Sequence, residues 1–375
     1  MDEGGLRESR RGFVLSGVNL SCMKVGLVLG AGGVLGGAWL TGGLAALAEE
    51  TGWDPGSADY IVGTSAGSVI SSLVASGVPP WFMVAHSGGE SFNGLQDRDG
   101  NPASSASRSG GAVFKLHRGL PSLGPGSWRL GVAALRNPGM HTPAAAMGAW
   151  LPVGLISTDS IKDVVRRVVP SGWTDHPNTW IVACDYSTGR RVPFGRPGSP
   201  GADLADAVAA SCAIPGFYRP VDIGHRRYVD GGMYSASNLD VIADCGLDLI
   251  ICLNPTSTLD PQASRHPLDR VAGAVRTAAG RRLGYEARKV RAKGTEVVLV
   301  QPVSEDLALM GRNLMRRSDR HRVIELARRT VADQLRAPAV AELLATLPAG
   351  EAHKITRPEG DPSTWPAIGP AARAA

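Results

Sequence analysis

Residues 24–37 read KVGLVLGAGGVLGG and residues 60–67 read YIVGTSAG, and these two stretches decide the fold. Each begins as a short apolar run, breaks into small residues and passes into a helical pattern. In the first, 24–29 is a strand that runs into the glycine cluster of 30–37; an amphipathic helix follows over 38–50, closed by Gly52. In the second, 60–62 is a strand that turns at Gly63-Thr64-Ser65-Ala66-Gly67, and 68–75 continue as an apolar helix ended by Gly77 and Pro79-Pro80. Strand, tight turn and helix, twice over, predict a parallel sheet with crossover helices.

The remaining chain extends this alternation. Helices are expected over 160–169, 203–210, 238–245, 268–293, 318–335 and 338–347. Strands are expected at 179–184 (TWIVAC), at 227–229 leading into Asp230-Gly231-Gly232, at 247–253 (LDLIICL) and at 296–300. Strands that are apolar throughout need cover on both faces. The expected architecture is α/β: three α/β/α layers around a mostly parallel central sheet. By domains, 1–22 is an N-terminal extension, 23–303 the main α/β domain, 304–349 C-terminal helices and 350–375 a flexible tail. Within the main domain, 87–150 is a polar Gly/Ser/Asn-rich stretch followed by a Gly/Pro-broken apolar one, read as an insertion able to cover a site.

Composition narrows the function classes. The chain has 375 residues, enough for one large core, and a net charge of +5 that is unevenly spread. Between Arg265 and Arg336, 17 Lys and Arg stand against 8 Asp and Glu, so that segment is a candidate contact with an anionic membrane surface. Tyr285 is its only aromatic residue, which argues against nucleic acid. Five cysteines (22, 184, 212, 245 and 252) without CxxC spacing fit reduced thiols, and neither a zinc site nor a disulfide framework. No run reaches the roughly 20 apolar residues of a membrane span, and residues 1–22 lack a signal-peptide core. The expected location is cytoplasmic, peripheral at a membrane.

Gly63–Gly67 is a G-x-S-x-G sequence between a strand and a helix. Small neighbours allow the sharp reversal, and the helix turns its positive end toward the serine oxygen. Ser65 is therefore the candidate nucleophile, and it needs a base. Asp230 ends an apolar strand and is followed by Gly231 and Gly232, which puts a carboxylate at the sheet edge where α/β folds build their sites. Asp-Gly is also a common turn. The glycine loop can aim backbone N–H groups at a developing oxyanion. A dinucleotide-binding reading is disfavoured, because the literal spacing is G-x-G-x-x-x-G and no acidic residue ends a strand about 20 residues on.

The three motifs, in this order, resemble the patatin-like phospholipase family over residues 23–300. The glycine loop resembles KVGLVLGAGGVLGGAWLTGGLAAL, with Gly30 and Gly36 in the motif. The elbow is Gly63 to Gly67, and the segment of the second catalytic residue is ASCAIPGFYRP at 210–220 followed by YVDGG at 228–232. The resemblance implies a lipid acyl hydrolase of phospholipase or esterase type with a Ser65–Asp230 dyad. It also implies an oxyanion hole from the Gly32, Gly33 and Val34 backbone, and no metal or cofactor. One departure stands out: the family's basic residue before the last loop glycine is Leu35 here, which points to an acyl ester more firmly than to a charged phospholipid. Three other readings remain open. One is an α/β-hydrolase triad using His266, His321 or His353, one an acyltransferase, and one a non-enzymatic nucleotide or lipid binder.

Overall fold

In the computed structural model, residues 23–88, 113–117, 124–137, 139–258 and 267–348 are described. Among them, eight strands make one sheet: β1 (Val25–Leu29), β2 (Tyr60–Thr64), β3 (Thr179–Asp185), β4 (Arg191–Phe194), β5 (Val221–Ile223), β6 (Arg226–Asp230), β7 (Leu249–Leu253) and β8 (Glu296–Val300). The order is β5-β6-β3-β2-β1-β7-β8, with β4 also paired to β3. From β3 to β8 the pairings are parallel, while β4, β5 and β6 run antiparallel to their neighbours. The helices are α1 (Gly33–Thr51), α2 (Ala66–Ala75), α3 (Pro80–Gly88), α4 (Trp128–Arg136), α5 (Pro143–Trp150), α6 (Asp159–Arg166), α7 (Leu204–Ser211), α8 (Pro267–Arg291), α9 (Ser304–Met310), α10 (Arg320–Leu335) and α11 (Pro338–Leu344).

The period-2 alternation of the strands sorts their side chains into two cores. Val25, Leu27 and Leu29 of β1 and Leu249, Ile251 and Leu253 of β7 join α1, α2, α3, α9, α10 and α11 on one face. Val28, Ile250 and Cys252 join Leu283, Ala287 and Val290 of α8 on the other. The sheet is thus covered on both sides, as its apolar strands require. The C-terminal helices α9 to α11 share the first core with α1. The described thiols Cys184, Cys212, Cys245 and Cys252 are free, while Cys22 lies outside the described residues.

Three differences from the sequence reading have physical causes. The helix expected to be amphipathic, α1, is buried on every side from Leu35 to Ala48, apart from half-buried Gly37. Its outer side is covered by α10, whose Ile324 carbonyl approaches so closely that a Cβ at Gly42 would sit 2.3 Å from it. The helix expected over 238–245 shrinks to a single 3-10 turn, Leu239–Ile242. Asn238 adopts a left-handed conformation there and its amide donates to Ser235 O and Thr64 Oγ1, which pins the segment to β2. Strands β4 and β5 were not expected, being four and three residues long and each carrying a charged residue, Arg191 and Asp222.

Part of the basic segment is paired within the molecule. Arg282 pairs with Glu286, Lys289 with Asp240, Arg328 with Glu49, Arg329 with Glu305 and Arg336 with Glu50. Among the described residues, no helix is long and apolar enough to cross a membrane.

Candidate active site

Ser65 follows β2 and precedes α2 at φ 53°, ψ −121°. A non-glycine residue in this region stores on the order of 1–3 kcal/mol of strain and persists only when its surroundings fix it. Here Ser65 N–H donates to Ser211 Oγ at 2.9 Å, and Ser211 Oγ donates onward to Val182 O at 2.6 Å. Ser68 Oγ donates to Ser65 O at 2.6 Å, and Cys212 Sγ lies 3.2 Å from the same carbonyl. The flanking glycines are sterically required. A Cβ at Gly63 would meet Ser71 Oγ at 2.1 Å, and one at Gly67 would meet the Leu29 carbonyl oxygen at 2.0 Å.

Asp230 arrives from the far side of β3. Thr64 is the register partner of Val182, and Asp230 is the partner of Ala183. Consecutive residues of one strand thus bring the C-terminal ends of β2 and β6 together. Gly231 fits this junction because a Cβ there would stand 2.2 Å from Val182 O. The result is a direct contact: Ser65 Oγ donates to Asp230 Oδ2 at 2.6 Å. Asp230 Oδ1 accepts from Gly232 N–H at 2.7 Å. Both side chains are buried, and burial raises the Asp230 carboxyl to about 6, against the opposing pull of its bonds from Ser65 and Gly232. It is still ionised at neutral pH, yet far more basic than a solvated aspartate.

No histidine intervenes between the two groups. His321 is an exposed residue of α10, and His266 and His353 lie outside the described residues. His176 is engaged with Ala58 O and the backbone and hydroxyl groups of 178 and 179, and burial lowers its pKa. Among the described residues, no group of three or more His, Cys, Asp or Glu is placed to hold a metal ion.

The glycine loop packs on the chain itself. A Cβ at Gly30 would strike Asn254 Oδ1 at 2.2 Å, and one at Gly32 would strike Pro255 Cγ at 2.6 Å; Gly36 stands more loosely beside the same proline. Gly33, at φ 61°, and Val34 open α1, whose first N–H groups have no carbonyl one turn back. The next two are taken, Leu35 N–H by Leu314 O and Gly36 N–H by Gly32 O. Gly33 and Val34 also line a cleft with Ser65. Leu35 is fully buried in the core.

The cleft beside Ser65 is open at its mouth and holds a cavity of about 120 Å³. Its walls are apolar: Val69 and Ile70 of α2, Ile161, Ile214, Met315 and Ile324. Arg320 contributes the one guanidinium. The family model for patatin-like phospholipases matches residues 27–243, more than half of the chain. The chain belongs to the patatin-like phospholipase family. This supports a lipid acyl hydrolase, and the patatin-like match spans the glycine loop, Ser65 and Asp230 together.

Sequence reasoning left several cleft residues without a role. Ser211 and Cys212 lie inside the quoted ASCAIPGFYRP segment, and their contacts with Ser65 depend on α7 packing beneath the elbow. The methionines of the 304–315 stretch divide: Met310 is fully buried in the core, whereas Met315 lines the cleft of the patatin-like domain. The described part of the 87–150 insertion, other than Ser87, is absent from the cleft lining. Residues 89–112, 118–123 and 138 of that insertion lie outside the described residues.

Proposed function

We propose that this protein is a serine lipid acyl hydrolase that cleaves fatty-acyl esters through a Ser65–Asp230 dyad. The 2.6 Å hydrogen bond from Ser65 Oγ to Asp230 Oδ2 carries this reading. Asp230 takes the Ser65 proton as Oγ bonds to the ester carbonyl carbon. The carbonyl oxygen gains the negative charge and meets backbone N–H groups of the Gly32–Gly33–Val34 turn at the positive end of α1. Collapse of the adduct breaks the ester C–O bond, and the departing alkoxide takes the proton from Asp230. A water then repeats the sequence: Asp230 removes its proton, the hydroxide attacks the acyl carbon, and Ser65 leaves with that proton as the fatty acid is released.

The cleft supports an acyl chain as the recognised group, since aliphatic walls favour it by about 0.8 kcal/mol per buried methylene. Arg320 at the same cleft offers a charge for an anionic group near the ester, in place of the basic residue that the glycine loop lacks at Leu35. The test is hydrolysis of a p-nitrophenyl acyl ester together with covalent labelling by a fluorophosphonate. Wild-type protein should do both and Ser65→Ala neither. Wild-type rates in Ser65→Ala would sink the proposal. Replacing His266, His321 and His353 by alanine should leave the rate unchanged.

A further inference from the structure

The helical hairpin α4–α5 turns its apolar side outward. On α4, Trp128 (61% exposed), Val132 and Leu135 (70%) recur at i, i+4 and i+7 and all face solvent. On α5, Met147 (71%) and Trp150 do the same. The Trp128 and Trp150 rings meet edge to face at 5.5 Å, so the two stripes form one surface. The inner sides hold only small residues and Leu130. Leu130, Ala145 and Ala149 pack on Cys184, Tyr186 and Val229. A helix with its large apolar residues on the solvent side and its small ones inside is the reverse of what folding alone selects.

The stretch of sequence that contains this hairpin carries charge of one sign. No Asp or Glu occurs between Asp99 and Asp159, whereas Arg108, Lys115, Arg118, Arg129 and Arg136 do. Arg129 and Arg136 are exposed beside the tryptophan stripe. Arg129 also borders a pocket with His225, Arg226 and Arg227. Asp185 holds Arg226, and Asp222 stands opposite Arg227 across the β5–β6 hairpin without closing an ion pair. Among the described residues, no acid pairs with Arg129 or Arg136. This contrasts with α8 and α10, whose cations are tied to Asp240, Glu286, Glu49, Glu50 and Glu305.

We infer that the exposed α4–α5 face is the surface by which this protein docks on an anionic phospholipid bilayer. Tryptophans suit the boundary between headgroup and acyl chain, the aliphatic residues suit the layer beneath it, and unpaired arginines suit anionic headgroups. Among the described residues the face offers cations and apolar side chains with no acid paired to Arg129 or Arg136, a combination that suits anionic headgroups over an apolar layer. The hairpin is also fixed to the catalytic end of the sheet. Thr142 Oγ1 donates to Met233 O, and a Cβ at Gly148 would stand 2.3 Å from Met233 Cε, three residues beyond Asp230. The inference extends the proposed function, and the two are tested separately.

The test is co-sedimentation of the full chain with large unilamellar vesicles of phosphatidylglycerol and phosphatidylcholine, or of phosphatidylcholine alone. The wild type should bind the anionic vesicles, and less so as salt rises. Arg129→Glu/Arg136→Glu should weaken binding by at least about tenfold, since each arginine near such a surface contributes roughly fivefold. Trp128→Ser/Leu135→Ser should weaken it on the order of tenfold by removing inserted apolar area. Both variants should hydrolyse a soluble short-chain nitrophenyl ester within about twofold of wild type, which shows that they fold. A failed nucleophile assignment would appear in the ester assay and leave sedimentation untouched. The inference is overturned if wild-type protein ignores anionic vesicles, or if both variants sediment like wild type. It is equally overturned if Trp128→Ser/Leu135→Ser splits a solution dimer without changing vesicle binding.

Discussion

Activity should fall about tenfold between pH 7 and pH 5, and Asp230 is the reason. Burial raises its carboxyl to about 6, with only the Ser65 hydroxyl and the Gly232 N–H to offset the lost hydration. A single group at that value is about nine-tenths ionised at pH 7 and about one-tenth ionised at pH 5. Only the ionised form can accept the Ser65 proton, so kcat/KM should lose a decade per unit below 6. An aspartate near its ordinary value of about 3.9 would leave the rate flat to pH 5. The same shift has an opposite effect on stability. The folded pKa lies above the unfolded one, so this contribution to stability is complete below about pH 4 and is lost as pH rises through 6, an amount of about 3 kcal/mol. Asp230→Asn, neutral at every pH, should remove that dependence while lowering kcat by a factor of about 10² to 10⁴. The assay is kcat/KM for p-nitrophenyl butyrate from pH 4.5 to 8.5, paired with chemical denaturation across the same range. A flat profile down to pH 5, or a limb abolished by a histidine substitution, would refute the reasoning.

Other substitutions test the scaffold around the dyad. Ser211→Ala strips partners from Ser65 N–H and Val182 O, both buried, and should cost about 2–4 kcal/mol of stability while lowering kcat more than it changes KM. Gly67→Ala would drive a Cβ to 2.0 Å from the Leu29 carbonyl, so the elbow must deform; the expected result is loss of fluorophosphonate labelling. Glu286→Ala should lower the thermal midpoint, because fully buried Glu286 accepts from Ser237 Oγ, Leu239 N–H and Arg282 Nε, and stranding those donors costs about 3–5 kcal/mol. Arg320→Met should reduce kcat/KM for an ester bearing a phosphate on the order of tenfold relative to a neutral one, as expected for a lost charge-assisted contact.

The sheet and the two residues proposed as the dyad stood out in sequence for the same reason. Buried parallel strands have to be apolar at every position, so 24–29 and 247–253 stand out, and each strand end that carries chemistry is marked by glycines forced by close contacts. Residues whose roles depend on which elements lie side by side were not legible. Ser211 is one serine in a helix until α7 is seen beneath Ser65. Arg320 belongs to a basic run until α10 is seen to close one wall of the cleft. The charge count over 265–336 likewise could not show that Glu49, Glu50 and Asp240 lie within reach of three of its cations. The outward apolar face of α4 escaped notice because its i, i+4, i+7 spacing reads as an ordinary core stripe.

The junction at Val182 and Ala183 bears on how the enzyme matures. Ser65 and Asp230 are 165 residues apart, and they meet only when β2 and β6 have both paired with β3. On the proposed mechanism, a chain that stops short of β6 therefore carries Ser65 without the carboxylate that would activate it, whether or not β7 and β8 have formed.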